Sequence, residues 1–332
     1  RPVAPEVDEG HGVRDLELPT ELGLVGPAVG GAGTAEEFGR RRIHLDVLHE
    51  TPLLLVAHDV DLAHVVGIDA DGAAVERARA AYALDRRPER PVAHLVNDNF
   101  RNLTHVLERL GIGQVDKMLF DLGWSGYQIA APRGFSFQND EPLLMTYGEG
   151  GETAADIVNS STEEELADII FTSGEERFAR GSARAIVAAR SEERILTTGA
   201  LVAAVKSGTP RQYHERKIHP ATKTFQALRI AVNDEIGAVR EGLAAALSAL
   251  APSGKLAVIS FHSIEDRIVK GMLRDAAHAG LGILNPKKPI APARAEIIAN
   301  RRSRSAKLRV FERAVAVSAA EAYAPSAVFS YV

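Results

Sequence analysis
Two aspartates and one glycine-rich loop are the residues of this chain best suited by type and spacing to do chemistry. Asp69 closes the apolar run 62–68 (LAHVVGI), and Asp121 closes a second run at 115–120 (VDKMLF). An acid at the carboxyl end of a buried strand sits where open α/β sheets bind ligands, and it can accept hydrogen bonds from ribose hydroxyls. Such acids also serve as plain helix caps. Upstream, Gly30-Gly31-Ala32-Gly33-Thr34 lets backbone come close to a ligand. The loop lies further from Asp69 than the ~20 residues of a dinucleotide fingerprint, and it lacks the lysine of a nucleotide-triphosphate loop.

Aromatic residues gather beside these acids. Asn99-Phe100 follows a third strand candidate, and Trp124, Tyr127, Phe135 and Phe137 follow Asp121. Near a cofactor cleft such rings suit the stacking of an extruded base, and they equally suit a small core. His219, His262 and Glu265 have metal-ligand chemistry but no paired histidines at helical spacing, so no metal is expected.

Other elements must position these groups. Strands are expected at 62–68, 91–96, 115–122 and 255–261, with helices at 72–84, 102–110 and 265–274. This alternation predicts a parallel sheet with helices on both faces. A final strand at 307–313 (KLRVFER) is expected to run antiparallel. From 151 to 215 the apolar spacing turns helical. Thr162 with Glu165 reads as a capping box, and 176–189 and 199–205 read as helices. Leu228, Val232, Ile236, Val239 and Leu243 predict one long helix over 221–250, after which Pro252-Ser253-Gly254 turns the chain.

Composition limits the function classes. The absence of cysteine excludes disulfides, thiolate metal sites and cysteine nucleophiles. Apolar runs such as 53–57 are far too short to span a bilayer, no signal pattern opens the chain, and a cytoplasmic setting is expected. The net charge of −5 argues against nucleic acid, but the cations cluster late. They fall at Arg211, Arg216, Lys217 and Lys223, at Lys287-Lys288, and at Arg301, Arg302, Arg304, Lys307 and Arg309. Those from Lys287 to Lys307 are candidate phosphate contacts; the plain reading of such clusters is a solvated face.

Five segments in order resemble the bacterial 16S rRNA (cytosine-N4)-methyltransferase family: DLGWS with RGFSF, GEERFAR, KIHPATKTFQALRIAVNDE, LAPSGKLAVISFHSIEDRIVK and SRSAKLRVFE. The match runs over about residues 65–312. The resemblance implies a Rossmann-like methyltransferase sheet with an inserted helical domain. It assigns 1–135 and 216–332 to the sheet and 136–215 to the insert, as a helical substrate-recognition domain. It implies S-adenosylmethionine as cofactor, 16S rRNA in the small ribosomal subunit as partner, and no membrane, and it leaves a homodimer open. By resemblance the cofactor is held by Gly31, Ala32, Gly33, Thr34, Asp69, Phe100, Asp121 and Gln128, and Asp121 is also the catalytic candidate. The family's Gly-Gly-His loop is Ala32-Gly33-Thr34 here, and its Ser-Ser pair is Ser125-Gly126. A second reading is an RNA-binding assembly factor of the same fold with weakened catalysis. A nicotinamide-dependent dehydrogenase finds no matching hydride-transfer site.

Overall fold
The computed structural model describes residues 54–58, 64–85, 92–123, 128, 131–148 and 150–315. All of them lie in one compact unit, Asp46–Val332. Seven strands form one sheet: β1 (Leu54–His58), β2 (His64–Asp69), β3 (Val92–Asn97), β4 (Val115–Asp121), β5 (Leu250–Ser260), β6 (Gly282–Leu284) and β7 (Lys307–Arg313). Their order is β3-β2-β1-β4-β5-β7-β6. β2 pairs with β3 in parallel, as does β4 with β5. β7 is antiparallel to both neighbours, as its alternating sequence predicts.

The strands expected at 62–68, 91–96, 115–122 and 255–261 all run the same way; the sheet also holds β1, which the sequence reading does not give and which is antiparallel to β2 and to β4. Only the short link 59–63 joins β1 to β2. A connection of hairpin length reverses the strand, whereas a parallel return takes a crossover of a dozen or more residues. Because β1 opposes both neighbours, β2 and β4 still run the same way. Four strands therefore end on one edge of the sheet, at Asp69, Asn97, Asp121 and Ser260.

Eleven helices are described. Those with the sheet are α1 (Gly72–Leu84), α2 (Leu103–Arg109), α9 (Glu235–Ala249), α10 (Ser263–His278) and α11 (Arg294–Ala299). Between β4 and α9 come α3 (Ala154–Ser160), α4 (Glu163–Gly174), α5 (Ala179–Glu192), α6 (Thr198–Ser207), α7 (Arg211–His214) and α8 (Thr222–Asn233). Two separate cores result. Val66, Ile68, Met118, Phe120, Leu256 and Val258 of the sheet pack with apolar residues of α2, α9 and α10. Leu143, Met145 and residues of α3, α4, α5, α6 and α8 form the other. The α4 capping box is present as expected: Glu165 Oε2 accepts the Thr162 N–H at 2.7 Å, and Thr162 Oγ1 accepts the Glu165 N–H at 3.2 Å.

The single helix expected over 221–250 is also corrected. It breaks at Asp234, whose φ of 43° and ψ of 47° are left-handed. The apolar stripe serves two cores, and one straight helix cannot face both. Leu228 joins the helical core, while Val239 and Leu243 join the sheet core. The turn expected at Pro252–Gly254 lies inside β5 as an irregularity: pairing jumps from Val115↔Leu250 to Lys117↔Lys255, and Ser253 takes φ 63°.

α9 seats against the sheet through Gly242. A Cβ there would lie 2.5 Å from Phe100 Cδ2 and 3.2 Å from Phe120 Cε1. Gly242→Ala should therefore cost stability, by about 1–3 kcal/mol for an overpacked core position. Gly271→Ala on α10 meets nothing within 4 Å and should instead stabilise by up to about 1 kcal/mol through helix propensity. Urea unfolding of the two variants checks the contrast; equal midpoints would refute it.

Candidate functional site
A cleft opens at the carboxyl edge of β2 and β4. Its wall includes Asp69, Asn99, Phe100, Asp121, Gly123 and Gln128, and its floor includes Tyr147, Asn233, Glu235 and Glu265. Asp69 is held from several sides. Its Oδ1 accepts the Asp71 N–H at 2.7 Å, and its carbonyl accepts Asn97 Nδ2 at 2.9 Å and the Asp98 N–H at 3.1 Å. Its Oδ2 is buried and has no hydrogen-bond partner among the described residues. Burial pushes the Asp69 carboxyl up to about 7; the Asp71 N–H opposes the rise, the Asp71 charge adds to it, and Arg77 opposes it. An acceptor of this kind is built to receive a donor that the described residues do not supply.

Asp71 caps α1, accepting the Ala73 N–H at 3.1 Å, and lies 3.4 Å from the amide nitrogen of buried Gln128. Phe100 meets Phe120 edge to face, with centroids 5.5 Å apart. Its ring is thus braced where it lines the cleft. Asp121 ends β4 opposite Ile259 of β5, and Gly123 follows at φ 99°, a value that favours glycine.

The floor is a buried charge network. Arg229 of α8 donates Nε and NH2 to the two oxygens of Glu235 at 2.7 and 2.8 Å, and Tyr147 donates its hydroxyl to Glu235 Oε1 at 2.6 Å. Burial, then the Glu235 charge, raises the Tyr147 pKa well above its usual value, so the phenol stays protonated. Burial alone would lower the Arg229 pKa, but Glu235 and Tyr147 outweigh it and raise it. Glu265 Oε2 accepts the Phe261 N–H at 2.9 Å. Burial pushes its carboxyl up, yet His262, that N–H and Arg229 together hold it below the usual range.

Among the described residues one cluster has the spacing of a metal site: Glu235, His262 and Glu265, with potential ligand atoms within 4.8 Å of one another. The donor set does not fit a cation. Both Glu235 oxygens already accept from Arg229 or Tyr147, and the Arg229 guanidinium is the local positive charge. His262 Nε2 stands 3.0 Å from Glu265 Oε1 without hydrogen-bond geometry, while its Nδ1 caps α10.

Of the residues singled out in the sequence, the structure brings Asp69, Phe100, Asp121 and Gln128 to one cleft. Gly31, Ala32, Gly33 and Thr34 lie outside the described residues, as do Trp124 and Tyr127. Phe135 does not reach the cleft wall: it stacks on Tyr147 at 5.6 Å and belongs to the helical core. His219 is set against Phe137, with centroids 4.8 Å apart. Two of the late cations serve the fold. Arg309 Nε and Lys307 Nζ hold Asp266 at 2.8 and 2.9 Å, whereas Arg301, Arg302 and Arg304 are exposed. Tyr147, Asn233 and Glu235 were not singled out. Spacing gives no signal for them: Asn233-Asp234-Glu235 falls between the stripe residues Val232 and Ile236 and leaves the helical period intact.

The model of a family described as the MraW methylase family matches residues 49–314. The chain is 49% identical over 257 residues to a "Ribosomal RNA small subunit methyltransferase H" of Deinococcus radiodurans, covering 76% of this chain and 78% of that protein. Proteins of the same description from Rhodopseudomonas palustris and Geobacter sulfurreducens are 41% and 42% identical. The first match covers 89% of each chain; the second covers 89% of this one and 97% of the relative.

The Asp69 geometry has a measurable consequence in the ligand-free protein. In the unfolded chain this carboxyl ionises at its ordinary value of 3.8, and in the folded protein at about 7. Between those values the folded state keeps a proton that the unfolded state has lost. Stability therefore falls as pH rises through the window, and the cost is complete above it. Asp69→Asn removes the ionisation and keeps an acceptor for the Asp71 N–H. Its stability relative to wild type should climb across the window and level off above it, as read by urea unfolding at a series of pH values. Parallel pH curves for the two proteins would defeat the assignment.

Proposed function
The chain belongs to the MraW methylase family, and from that premise we propose that it methylates N4 of a cytidine in the 16S rRNA of the small ribosomal subunit, with S-adenosylmethionine as methyl donor. The observation that carries this reading is the single cleft lined by both strand-ending acids, Asp69 and Asp121. The relatives' descriptions support the substrate. The architecture we infer is a Rossmann-like methyltransferase sheet interrupted by a helical insert at 136–215. The two separate cores support an insert of this kind, and Phe225 and Leu228 of α8 pack with it beyond residue 215. We place the protein in the cytoplasm with its substrate. No helix among the described residues is long and apolar enough to cross a membrane.

The residues present fit the cofactor at its nucleoside end. The unpartnered Asp69 Oδ2 is an acceptor for a ribose hydroxyl, Phe100 is a braced apolar wall for the adenine, and Gln128 lies beside Asp71 at the same end. When bound, S-adenosylmethionine supplies an electrophilic methyl group on a sulfonium. The target N4 is a poor nucleophile because its lone pair is delocalised into the ring. The task of the protein is then to hold the amine in line with the methyl carbon and to favour its pyramidal form. A carboxylate at Asp121 would accept one N4–H, draw the lone pair out of conjugation, offset the positive charge that develops as the N–C bond forms and take the proton that N4 then loses, the electron pair of the broken C–S bond remaining on sulfur. The other arrangement is that Asp121 holds the amino-acid end of the cofactor.

Two measurements test this reading. Asp69→Ala removes the ribose acceptor and should weaken S-adenosylmethionine binding by roughly 2 kcal/mol or more; unchanged affinity by titration calorimetry would end that role. Asp121→Asn and Asp121→Ala should each lower turnover steeply on small subunits while RNA binding survives. If cofactor affinity falls in step, Asp121 serves the cofactor. Wild-type methylation by the Ala variant would leave it as a structural cap.

A further inference from the structure
The helical region carries a ridge that the cleft does not use. Phe178 and Tyr213 meet edge to face, with centroids 4.9 Å apart. The Arg177 guanidinium lies 4.5 Å from the Phe178 centroid and 5.3 Å from that of Tyr213, and the Arg216 guanidinium lies 5.2 Å from Tyr213. Buried Glu176 fixes the platform from below. It accepts the Tyr213 hydroxyl at 2.5 Å and the Phe178 N–H at 2.9 Å. Arg177 and Arg216 are exposed, and among the described residues neither forms an ion pair.

Further cations lie in the same helices and the segments that join them. Arg180, Lys206, Arg211 and Lys217 are all exposed. α5 and the end of α6 touch so closely that a Cβ on Gly181 would lie 2.4 Å from the Gly208 carbonyl oxygen, which brings Arg177 and Arg180 beside the segment leading to Tyr213. Of the exposed acids in the same stretch, Glu175 is engaged by Arg267 and Ser263, which leaves Glu215 beside Tyr213 and Glu192 and Glu193 at the far end of α5. Glu175 also ties the ridge to the cleft, because Ser263 and Arg267 open α10, the helix whose Glu265 lines the floor.

An arginine placed for stability usually meets a carboxylate. These two rest on rings instead, which holds the planar fork in place and leaves its N–H edges open. Such forks match phosphate oxygens, and the rings offer stacking to an unpaired base. We propose that Arg177, Phe178, Tyr213 and Arg216 form an RNA-docking ridge that grips the substrate strand outside the methyl-transfer cleft. This rests on the reading of the chain as an enzyme acting on ribosomal RNA. The ridge sets affinity for the substrate, and the cleft sets the chemistry.

The test is the double variant Arg177→Glu/Arg216→Glu, compared with Lys270→Glu/Arg274→Glu, an equal charge change at exposed positions of α10. A 16S rRNA transcript and unmethylated small subunits are the probes, with filter binding across a salt series. The ridge variant should lose about tenfold or more in affinity for both probes, and its log–log salt slope should shrink by about 1.4, for two lost phosphate contacts. Its KM for subunits should rise, while S-adenosylmethionine affinity and turnover at saturating subunits stay unchanged. Unchanged RNA affinity and slope, or an equal loss in the α10 control, would overturn the ridge. So would lost binding to whole subunits with full binding to the transcript, which would assign the ridge to a ribosomal protein. If wild type binds the transcript and the subunits, the ridge variant binds neither, and neither protein methylates the subunits, the ridge stands and the proposed reaction fails. If wild type methylates and the variant binds as tightly, the reaction stands and the ridge falls.

Discussion
The buried pair between Arg229 and Glu235 is the interaction on which the rest of the structure depends. Arg229 sits on α8 with the helical core, and Glu235 opens α9 against the sheet core. Between them the chain turns through left-handed Asp234. Two hydrogen bonds close the pair, and the Tyr147 hydroxyl adds a third donor. Burying two charges is unfavourable unless their remaining polar atoms are satisfied, and stranding one of them costs about 3–5 kcal/mol. Here the pair fixes the angle between two helices that an apolar stripe alone would leave continuous. Asn233 reinforces the corner by donating to the carbonyls of Met145 and Arg229. The cleft floor exists because that corner exists.

The wall of the cleft follows from strand direction. Four strands share one polarity, so their carboxyl ends collect polar side chains and open backbone groups on one edge. β1 runs against them without disturbing that edge, because it opposes β2 and β4 equally. Asp69 shows what such a site demands. Its carboxylate is buried with one oxygen unpartnered among the described residues, an arrangement that opposes folding at neutral pH. The cost is borne by the sheet core, in which Val66, Ile68 and Phe120 are almost wholly buried. Strain of this kind is tolerated where a ligand completes the hydrogen bonding.

Much of this was legible in the sequence, and the rest was hidden for identifiable reasons. Local chemistry could be read directly. The strands ending at Asp69 and Asp121, the Thr162 capping box and the antiparallel 307–313 strand each depend on neighbours in sequence. The break at Asp234 was not legible, because the period of Leu228, Val232, Ile236, Val239 and Leu243 stays helical through it. Only the presence of two cores shows that the stripe must bend. Phe135 failed as a base-stacking candidate for a similar reason. Its partner Tyr147 is tied to Asn233 and Glu235, so its burial is settled by residues about a hundred positions away. Tyr147 and Glu235 gave no sign of belonging to the cleft, since a site assembled across a helix break has no spacing rule.

The net charge of −5 and a nucleic-acid substrate are reconciled by where the charges are used. Many acids are consumed internally. Glu176 holds the aromatic platform, Glu235 holds Arg229, and Asp266 holds Arg309 and Lys307. Glu163 and Glu165 lie in the first turn of α4, where the helix dipole favours negative charge, and Glu165 also closes the capping box. Exposed cations on α5 and around α7 face no matching number of free carboxylates. The field near the surface is set by groups within about 8–10 Å at working salt, because more distant charges are screened. A polyanion approaching the helical region therefore meets the local cations rather than the average of the whole chain. Sorting charges by their partners is what turns an acidic composition into a surface that an RNA strand can approach.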